Sequence, residues 1–299
     1  AYGRAFLFAG HPYARPVDGS ERSLATLSVE DVRSYARTQF GADRAILVLT
    51  GDVDPAWVRK AVRARLGGWA RATAALPALP EPPRTPGRRV LLVDAPGATQ
   101  TYFWIGSVGV ARRDPDRAAL DIVNTLYGGR FTSILNTELR IKSGLSYGAS
   151  SGFTRGSVPG EFSIESFTLA ENTQRAVDLA LETLQQLHRN GVDATQLESA
   201  RAYVLGQYPL GYETAAQWAG VLADLEYYSL GRDDVEGYGP RLAAVDAAAV
   251  RAVIARAFPR PEDVVIVLIG DGAQLRSVAA GYGPVTELSL SGTDFAAPR

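Results

Sequence analysis

An internal repeat constrains the fold of this 299-residue chain more than any other feature. The run LATLSVEDVRSYARTQF at 24–40 aligns with LAAVDAAAVRAVIARAF at 242–258. The run AILVLTGDV at 45–53 aligns with VIVLIGDG at 265–272 after a slip of one residue. In each copy the first run has the spacing of an amphipathic helix, and the second has the composition of a buried strand, predicted at 45–50 in the first copy. Asp54 followed by Pro55 predicts the start of a further helix that runs to Leu66. A period this long indicates two copies of a whole domain rather than a solenoid.

The two copies are unequal in length. Residues 89–241, rich in strand and helix patterns, precede the second shared segment, whereas only 23 residues precede the first. We therefore expect the chain to start inside its first domain, and the absence of methionine leads us to expect an excised or processed piece. This predicts that residues 1–75 are the C-terminal half of a first α+β domain, that 76–88 (LPALPEPPRTPGR) are a proline-rich linker, and that 89–299 are a complete homologous domain.

Composition excludes several classes of function. With 46% hydrophobic residues the chain can bury a sizeable core, and its net charge of -1 gives no reason to expect nucleic acid or an anionic membrane surface as a partner. The absence of cysteine excludes disulfides, thiolate metal sites and a cysteine nucleophile, and it fits a reducing or an oxidising compartment. The longest apolar run, at 264–269, is far too short to span a bilayer.

The stretch at 127–153, YGGRFTSILNTELRIKSGLSYGASSGF, has the pattern of a helix-to-strand corner. A glycine pair at 128–129 ends one helical pattern, and 132–142 predicts a second helix. Gly144 stands where a helix stop is expected, because glycine takes the left-handed cap conformation without strain. The run at 145–153 then predicts a strand.

This corner places two strong hydrogen-bond donors close together. Arg140 falls in the last turn of the predicted helix, and Tyr147 falls near the start of the predicted strand. A helix–glycine–strand corner can aim both donors at one point. In the alternative interpretation, Arg140 pairs with a carboxylate at the helix end, and Tyr147 is a half-buried residue of the strand.

The run GGRFTSILNTELRIKSGLSYG resembles the signature of the non-catalytic half of the pitrilysin/insulinase family of zinc metallopeptidases. The family pattern is a Gly-rich turn, a short helix ending in Leu-Arg, then Gly-Leu-small-Tyr. The resemblance implies the half-clamshell fold of the mitochondrial processing peptidase type, an α+β fold with a mostly antiparallel sheet and helices on one face. It also implies that Arg140 and Tyr147 bind substrate. Phe131 is a candidate for lining the substrate cleft, with a core position as the alternative.

The family's zinc motif is absent from this sequence. That motif, His-x-x-Glu-His on a helix with a further Glu downstream, puts two imidazoles on one helix face. The chain has only His11 and His188, far apart, so we expect no metal ligand and no catalytic residue in it, and no activity from it alone. The zinc is expected on a catalytic domain or partner subunit. We interpret His11 as a loop residue and His188 as a complement to a helix dipole.

Two other motifs carry no chemistry. Gly-x-Ser-x-Gly occurs at 144–148 and 148–152, but a nucleophile elbow needs a strand before the helix, and here the order is reversed. The runs at 45–52 and 265–271 resemble the apolar strand and Asp of a nucleotide site, yet the sequence lacks a Gly-x-x-x-x-Gly-Lys-[Ser/Thr] loop.

We therefore predict a substrate-binding, non-catalytic half of a zinc metalloendopeptidase, with a peptide or unfolded segment as substrate. Two alternatives remain: a structural or assembly subunit of the same fold, and a peptide-binding module that uses an exposed sheet edge. The resemblance to bacterial relatives allows the periplasm or the cytoplasm and favours the periplasm.

Overall fold

Six strands form one sheet in the computed structural model, which describes residues 1–84, 86–292 and 294–295. The strands are β1 (Arg89–Asp94), β2 (Gln100–Val108), β3 (Ala149–Arg155), β4 (Pro159–Leu169), β5 (Val265–Gly270) and β6 (Val285–Ser289). Their spatial order is β3-β4-β2-β5-β1-β6. The pairs β3–β4, β4–β2 and β2–β5 are antiparallel, whereas β5–β1 and β1–β6 are parallel. The predicted α+β class with a mostly antiparallel sheet is confirmed.

α-Helices account for about half of the other described residues. They are α1 (Tyr2–Leu7), α2 (Glu21–Ala25), α3 (Val29–Gln39), α4 (Pro55–Leu66), α5 (Arg117–Asn124), α6 (Ile134–Asn136), α7 (Thr173–Asn190), α8 (Ala194–Gln207), α9 (Ala215–Tyr227), α10 (Asp233–Glu236), α11 (Tyr238–Ala244), α12 (Ala247–Ala257) and α13 (Gly272–Ala280). None of the helices in the described part of the chain is both long and apolar enough to cross a membrane.

The main core lies between the sheet and helices α5, α7 and α12. Alternate residues of β2 and β4, such as Phe103 and Phe162, are fully buried on this face. The opposite face is covered in part by α1, where Phe8 and Trp104 belong to a second, smaller apolar cluster. The helices therefore pack mainly on one face, as predicted, with α1 as an addition on the other.

The N-terminal segment keeps its predicted helices but not its predicted strand. Ser28 is the N-cap of helix α3 and forms a reciprocal capping box with Asp31. Helix α4 begins at Pro55, with Asp54 as its N-cap. The strand predicted at 45–50 is wrong, because this run is irregular and Leu47 is 58% exposed. A strand needs hydrogen-bonded neighbours, and none of the six strands pairs with this run.

The predicted linker is irregular as expected. Residues 76–84 and 86–88 form no helix or strand, and Thr85 lies outside the described residues. This segment is nevertheless tied to the end of β2, since Arg84 donates hydrogen bonds of 2.8 Å to the carbonyls of Val108 and Gly109.

Candidate functional site

The Gly-rich corner is built from two helices that loosen into π-helical turns. Helix α5 continues as a π-helical turn over Thr125–Gly129, and α6, capped by Ser133, continues as one over Thr137–Lys142. Single π-helical turns are rare and often occur at functional sites. Gly144 follows with a φ of +64°, the left-handed conformation expected for the helix stop.

Tyr147 lies in the bend before β3, because the strand starts at Ala149 rather than at the predicted residue 145. Hydrogen bonds that are not part of the strand pairing hold this bend in place. The Thr168 hydroxyl donates to the Leu145 carbonyl at 2.7 Å, and the Ser146 amide donates to the Leu139 carbonyl at 3.1 Å. The chain is thereby fixed to the helix end before it joins the sheet.

The structure brings together the three residues that the sequence singled out. The Arg140 Cζ lies 4.5 Å from the ring centroid of Tyr147 and 4.9 Å from that of Phe131, over both rings. We call this group the arginine clamp (Phe131, Arg140, Tyr147). Tyr147 is 75% exposed and Phe131 is 62% exposed, so neither is a core residue.

The guanidinium of Arg140 has no ion-pair partner among the described residues, in which no carboxylate oxygen comes within 4.0 Å of it. In the same helical turn, the Lys142 ammonium pairs with Glu138 at 2.7 Å. The alternative of an arginine neutralised at a helix end therefore does not hold. A cation–π contact with a ring leaves guanidinium N–H groups available, and none of the Arg140 N–H groups donates to another described residue.

A triangle of hydrogen bonds fixes the backbone after Tyr147. The Ser146 and Ser166 hydroxyls lie 2.7 and 2.9 Å from the Gly148 carbonyl oxygen and 2.8 Å from each other. Because the two hydroxyls carry only two protons, at most two of these contacts are separate hydrogen bonds at one time, and the Gly148 carbonyl or the other hydroxyl accepts each of them. The Ser146 hydroxyl is thus committed to the fold, which agrees with rejecting a serine nucleophile here.

The Asn136 side chain links the two ends of the segment that carries the arginine clamp. Its side chain is 4% exposed, its Nδ2 donates to the Phe131 carbonyl at 2.7 Å, and its Oδ1 accepts from the Ala149 amide at 3.1 Å. One buried amide therefore joins the Gly-rich turn to the start of β3, with Arg140 and Tyr147 in between.

We expect Asn136→Ala to lower the free energy of unfolding by about 1–3 kcal/mol, because a buried amide and a carbonyl lose their partner. Urea unfolding followed by circular dichroism measures this. Asn190→Ala, at the exposed end of α7, is the matched control and should change stability by less than about 0.5 kcal/mol. An unchanged urea midpoint of unfolding for Asn136→Ala would contradict this linking role of the Asn136 side chain.

Gly128 allows the end of α5 to approach β3. A Cβ at this position would lie 2.3 Å from the Ser151 Oγ and 2.4 Å from its amide nitrogen. Ser151 cannot retreat freely, because its hydroxyl donates to the Asn124 side chain at 2.8 Å. The close approach, rather than an unusual φ, requires glycine here.

Gly128→Ala should therefore destabilise the fold by about 1–3 kcal/mol through overpacking. Gly206→Ala is the contrasting variant, since a Cβ there meets no atom within 4 Å and the residue lies within helix α8. It should raise stability by about 0.5–1 kcal/mol. Thermal or urea unfolding of both variants decides the matter, and equal effects of the same sign would refute the packing explanation.

The residues present do not fit a zinc ion. Among the described residues no three His, Cys, Asp or Glu side chains come together as a ligand group. The Nε2 atoms of His11 and His188 each lie 2.9 Å from a proline carbonyl oxygen, of Pro80 and Pro259 respectively. Both histidines are engaged in joining segments of the fold.

The supporting residues Asn136, Ser166 and Thr168 were not predicted. The only sequence signal was two small polar residues at inward positions of β4, after the inward Phe162 and Ile164. Polar residues at buried strand positions must be hydrogen-bonded, so they could have been recognised as partners of an unidentified loop.

Comparison with known proteins gives a consistent assignment. The family model described as Peptidase M16 inactive domain matches residues 26–204. Uncharacterized zinc proteases of Mycobacterium leprae and Streptomyces coelicolor are 25% identical over 223 residues (74% of this chain, 50% of that protein) and 26% identical over 252 residues (83% and 55%). A protein of Helicobacter pylori named as a non-peptidase homolog is 23% identical over 212 residues, 70% of this chain and 48% of its own.

The solved structure of a peptidase M16 inactive domain from Pseudomonas fluorescens superposes with a TM-score of 0.81 at 25% identity, covering 90% of this chain and 64% of that one. The chain spans about half the length of the curated relatives it matches. The family match covers more than half of the chain and agrees with the resemblance inferred from the Gly-rich corner. The chain belongs to the Peptidase M16 inactive domain family.

Proposed function

We propose that this chain is the substrate-binding, non-catalytic half of a zinc metalloendopeptidase. The observation that carries the proposal is the arginine clamp, a guanidinium that lies over the exposed rings of Phe131 and Tyr147 with no carboxylate partner among the described residues. An arginine held in this way has its orientation fixed and its N–H donors unused. Such a group is suited to a ligand that offers oxygen acceptors.

A peptide backbone is the ligand that fits these donors. In this proposal the Arg140 N–H groups and the Tyr147 hydroxyl donate to the carbonyl oxygen next to the scissile bond. Donors placed where negative charge develops stabilise a tetrahedral transition state more than the ground state. Phe131 also contacts the guanidinium and offers an apolar surface to a substrate side chain.

The catalytic zinc belongs, in this proposal, to another domain or subunit that faces the clamp across a chamber. The support is the family membership, the zinc-protease names of longer relatives, of which the match covers 50% and 55%, and the absence of a ligand group among the described residues. Residues 1–75 would form the end of a first α+β unit, 76–88 the linker, and 89–299 the complete inactive domain.

Mixing this chain with its zinc-bearing half and following cleavage of a quenched fluorescent peptide tests the proposal. Activity should require both halves. Tyr147→Phe is the informative variant, because it keeps the ring that stacks on Arg140 and removes only the hydroxyl donor. A fall of at least about tenfold supports the donor role. Full activity without this chain, or with Tyr147→Phe, would refute it.

A structural or assembly role is the second candidate, favoured by the Helicobacter pylori relative named as a non-peptidase homolog. In that case the clamp would serve only the fold of the corner. The two candidates differ in one result: a scaffold would bind its partner without stimulating peptide cleavage, and the partner's activity would be indifferent to Arg140 and Tyr147.

A further inference from the structure

A cavity of about 350 Å³ lies at the end of the sheet where β1 and β5 begin and β2 ends. Gly106 and Val265, which are register partners in β2 and β5, line it from the sheet. The C-terminal end of α12 and the residues after it form a second side, and Leu7 of α1 also lines the cavity. The cavity shares no residue with the arginine clamp, and its volume is within the range of small-molecule sites.

Arginine side chains set the charge of this cavity. Four of them are among its described lining residues, together with one carboxylate: Arg84, Arg89, Arg256, Arg260 and Asp263. Arg256 is neutralised from outside the cavity, because it pairs with Asp114 at 2.7 Å and with Asp116 at 2.9 Å. The other three arginines have no ion-pair partner among the described residues. Three positive charges and the single negative charge of Asp263 leave the cavity with an excess of two positive charges.

Arg89 is the cavity arginine with the least access to water. It is half-buried, whereas the other three are exposed. Its Cζ lies 5.3 Å from the ring centroid of Phe6, and its Nε atom is buried without a hydrogen-bond partner among the described residues. Burial lowers the pKa of Arg89, yet a guanidinium stays protonated at neutral pH, so its positive charge remains in the cavity wall.

The two terminal nitrogens of Arg89 are available to a ligand. Neither is buried, and neither donates a hydrogen bond to a described residue. A positive charge that is partly removed from water without a counter-ion costs free energy, and a bound oxyanion offsets that cost. The terminal nitrogens of a guanidinium donate side by side, which matches two oxygens of one phosphate or carboxylate group.

We propose that this cavity is a binding site for a small phosphorylated molecule, whose phosphate group pairs with Arg89 and Arg260. A phosphate monoester carries about two negative charges at neutral pH, which matches the excess charge of the cavity. A single carboxylate would leave one positive charge without a partner. Apolar lining residues such as Val108 and Ala257 contact the organic part of the ligand. The site is separate from the peptide site and does not rest on the proposed peptidase function.

Isothermal titration calorimetry of the 299-residue chain with phenyl phosphate tests this proposal, with benzoate as a probe of similar shape and lower charge. Phenyl phosphate should bind saturably, one molecule per chain, and at least about tenfold more tightly than benzoate at the same ionic strength. Absence of saturable binding up to about 10 mM phenyl phosphate, or equal affinities for the two probes, would overturn the proposal.

Arg89→Met separates ligand binding from a structural role, because methionine keeps a long side chain beside Phe6 and removes the charge. This variant should bind phenyl phosphate at least about tenfold more weakly than wild type. Its urea midpoint of unfolding without ligand should be unchanged or higher, since an unpaired, half-buried charge is removed. A lower midpoint together with wild-type affinity would show a purely structural arginine and would overturn the proposal.

Arg260→Gln keeps the proposal testable if Arg89→Met does not fold, because Arg260 is exposed and its side chain makes no hydrogen bond to a described residue. It should weaken phenyl phosphate binding by at least about threefold, whereas Arg189→Gln at the exposed end of α7 should leave the affinity unchanged. Wild-type affinity of folded Arg260→Gln would refute the pairing with Arg260. The measurement needs no zinc and no peptide cleavage, so its failure and the failure of the proposed function are distinguishable.

Discussion

Replacing Arg140 by alanine is expected to lower kcat/KM of the proposed two-half peptidase by about 30- to 900-fold, equivalent to about 2–4 kcal/mol of barrier. The guanidinium already lies over two aromatic rings in the chain alone. In the proposed mechanism its N–H groups therefore need little reorganisation as charge develops on the carbonyl oxygen. Cleavage of a quenched fluorescent peptide at several substrate concentrations measures kcat and KM separately. An interaction made only in the transition state appears in kcat.

Two further variants make this result specific. Arg140→Lys keeps the positive charge but loses the planar set of donors, so an intermediate loss is expected. Arg189→Ala, at the exposed end of α7, removes an arginine far along the chain from the clamp and should leave activity within about twofold of wild type. A folded Arg140→Ala variant with wild-type activity would exclude Arg140 as a donor to the reacting carbonyl.

The helices could be predicted from sequence because their boundaries are set locally. Ser28 and Asp193 each form a capping box with a residue three positions later, and Gly191 ends α7 with a φ of +64°. The strand at 45–50 could not be judged in the same way. Its apolar composition is that of β5, but strand formation depends on neighbours that a single run of sequence does not contain.

The sequence predicted the meeting of Arg140 and Tyr147 but not the residues that support the arginine clamp. The spacing of Arg140 and Tyr147 across Gly144 limits how far apart they can lie, so their meeting followed from the corner itself. The hydrogen-bonded residues that support these two side chains could not be predicted from the sequence in this way. Asn136 and Ser166 act through hydrogen bonds to segments that are distant in sequence, and nothing in an isolated Asn or Ser distinguishes a buried partner from an exposed helix or strand residue.

Phe258→Ala is expected to lower the free energy of unfolding by about 3–5 kcal/mol. Phe258 is 3% exposed, and its ring centroid lies 5.2 Å from that of Phe153, 5.4 Å from that of Phe162 and 6.0 Å from that of Tyr127. Truncation removes its burial, its edge-to-face contacts and the packing of three neighbours at once. Urea unfolding followed by circular dichroism measures the loss.

Phe40→Ala is the internal control for this measurement, because Phe40 stands at the same position of the repeat, at the same end of an equally long helix. It is 63% exposed and touches one other ring, that of Tyr35 at 5.8 Å, so its truncation in this chain should cost less than about 1 kcal/mol. Equal losses for the two variants would mean that the helix itself, rather than its cover, sets the energy.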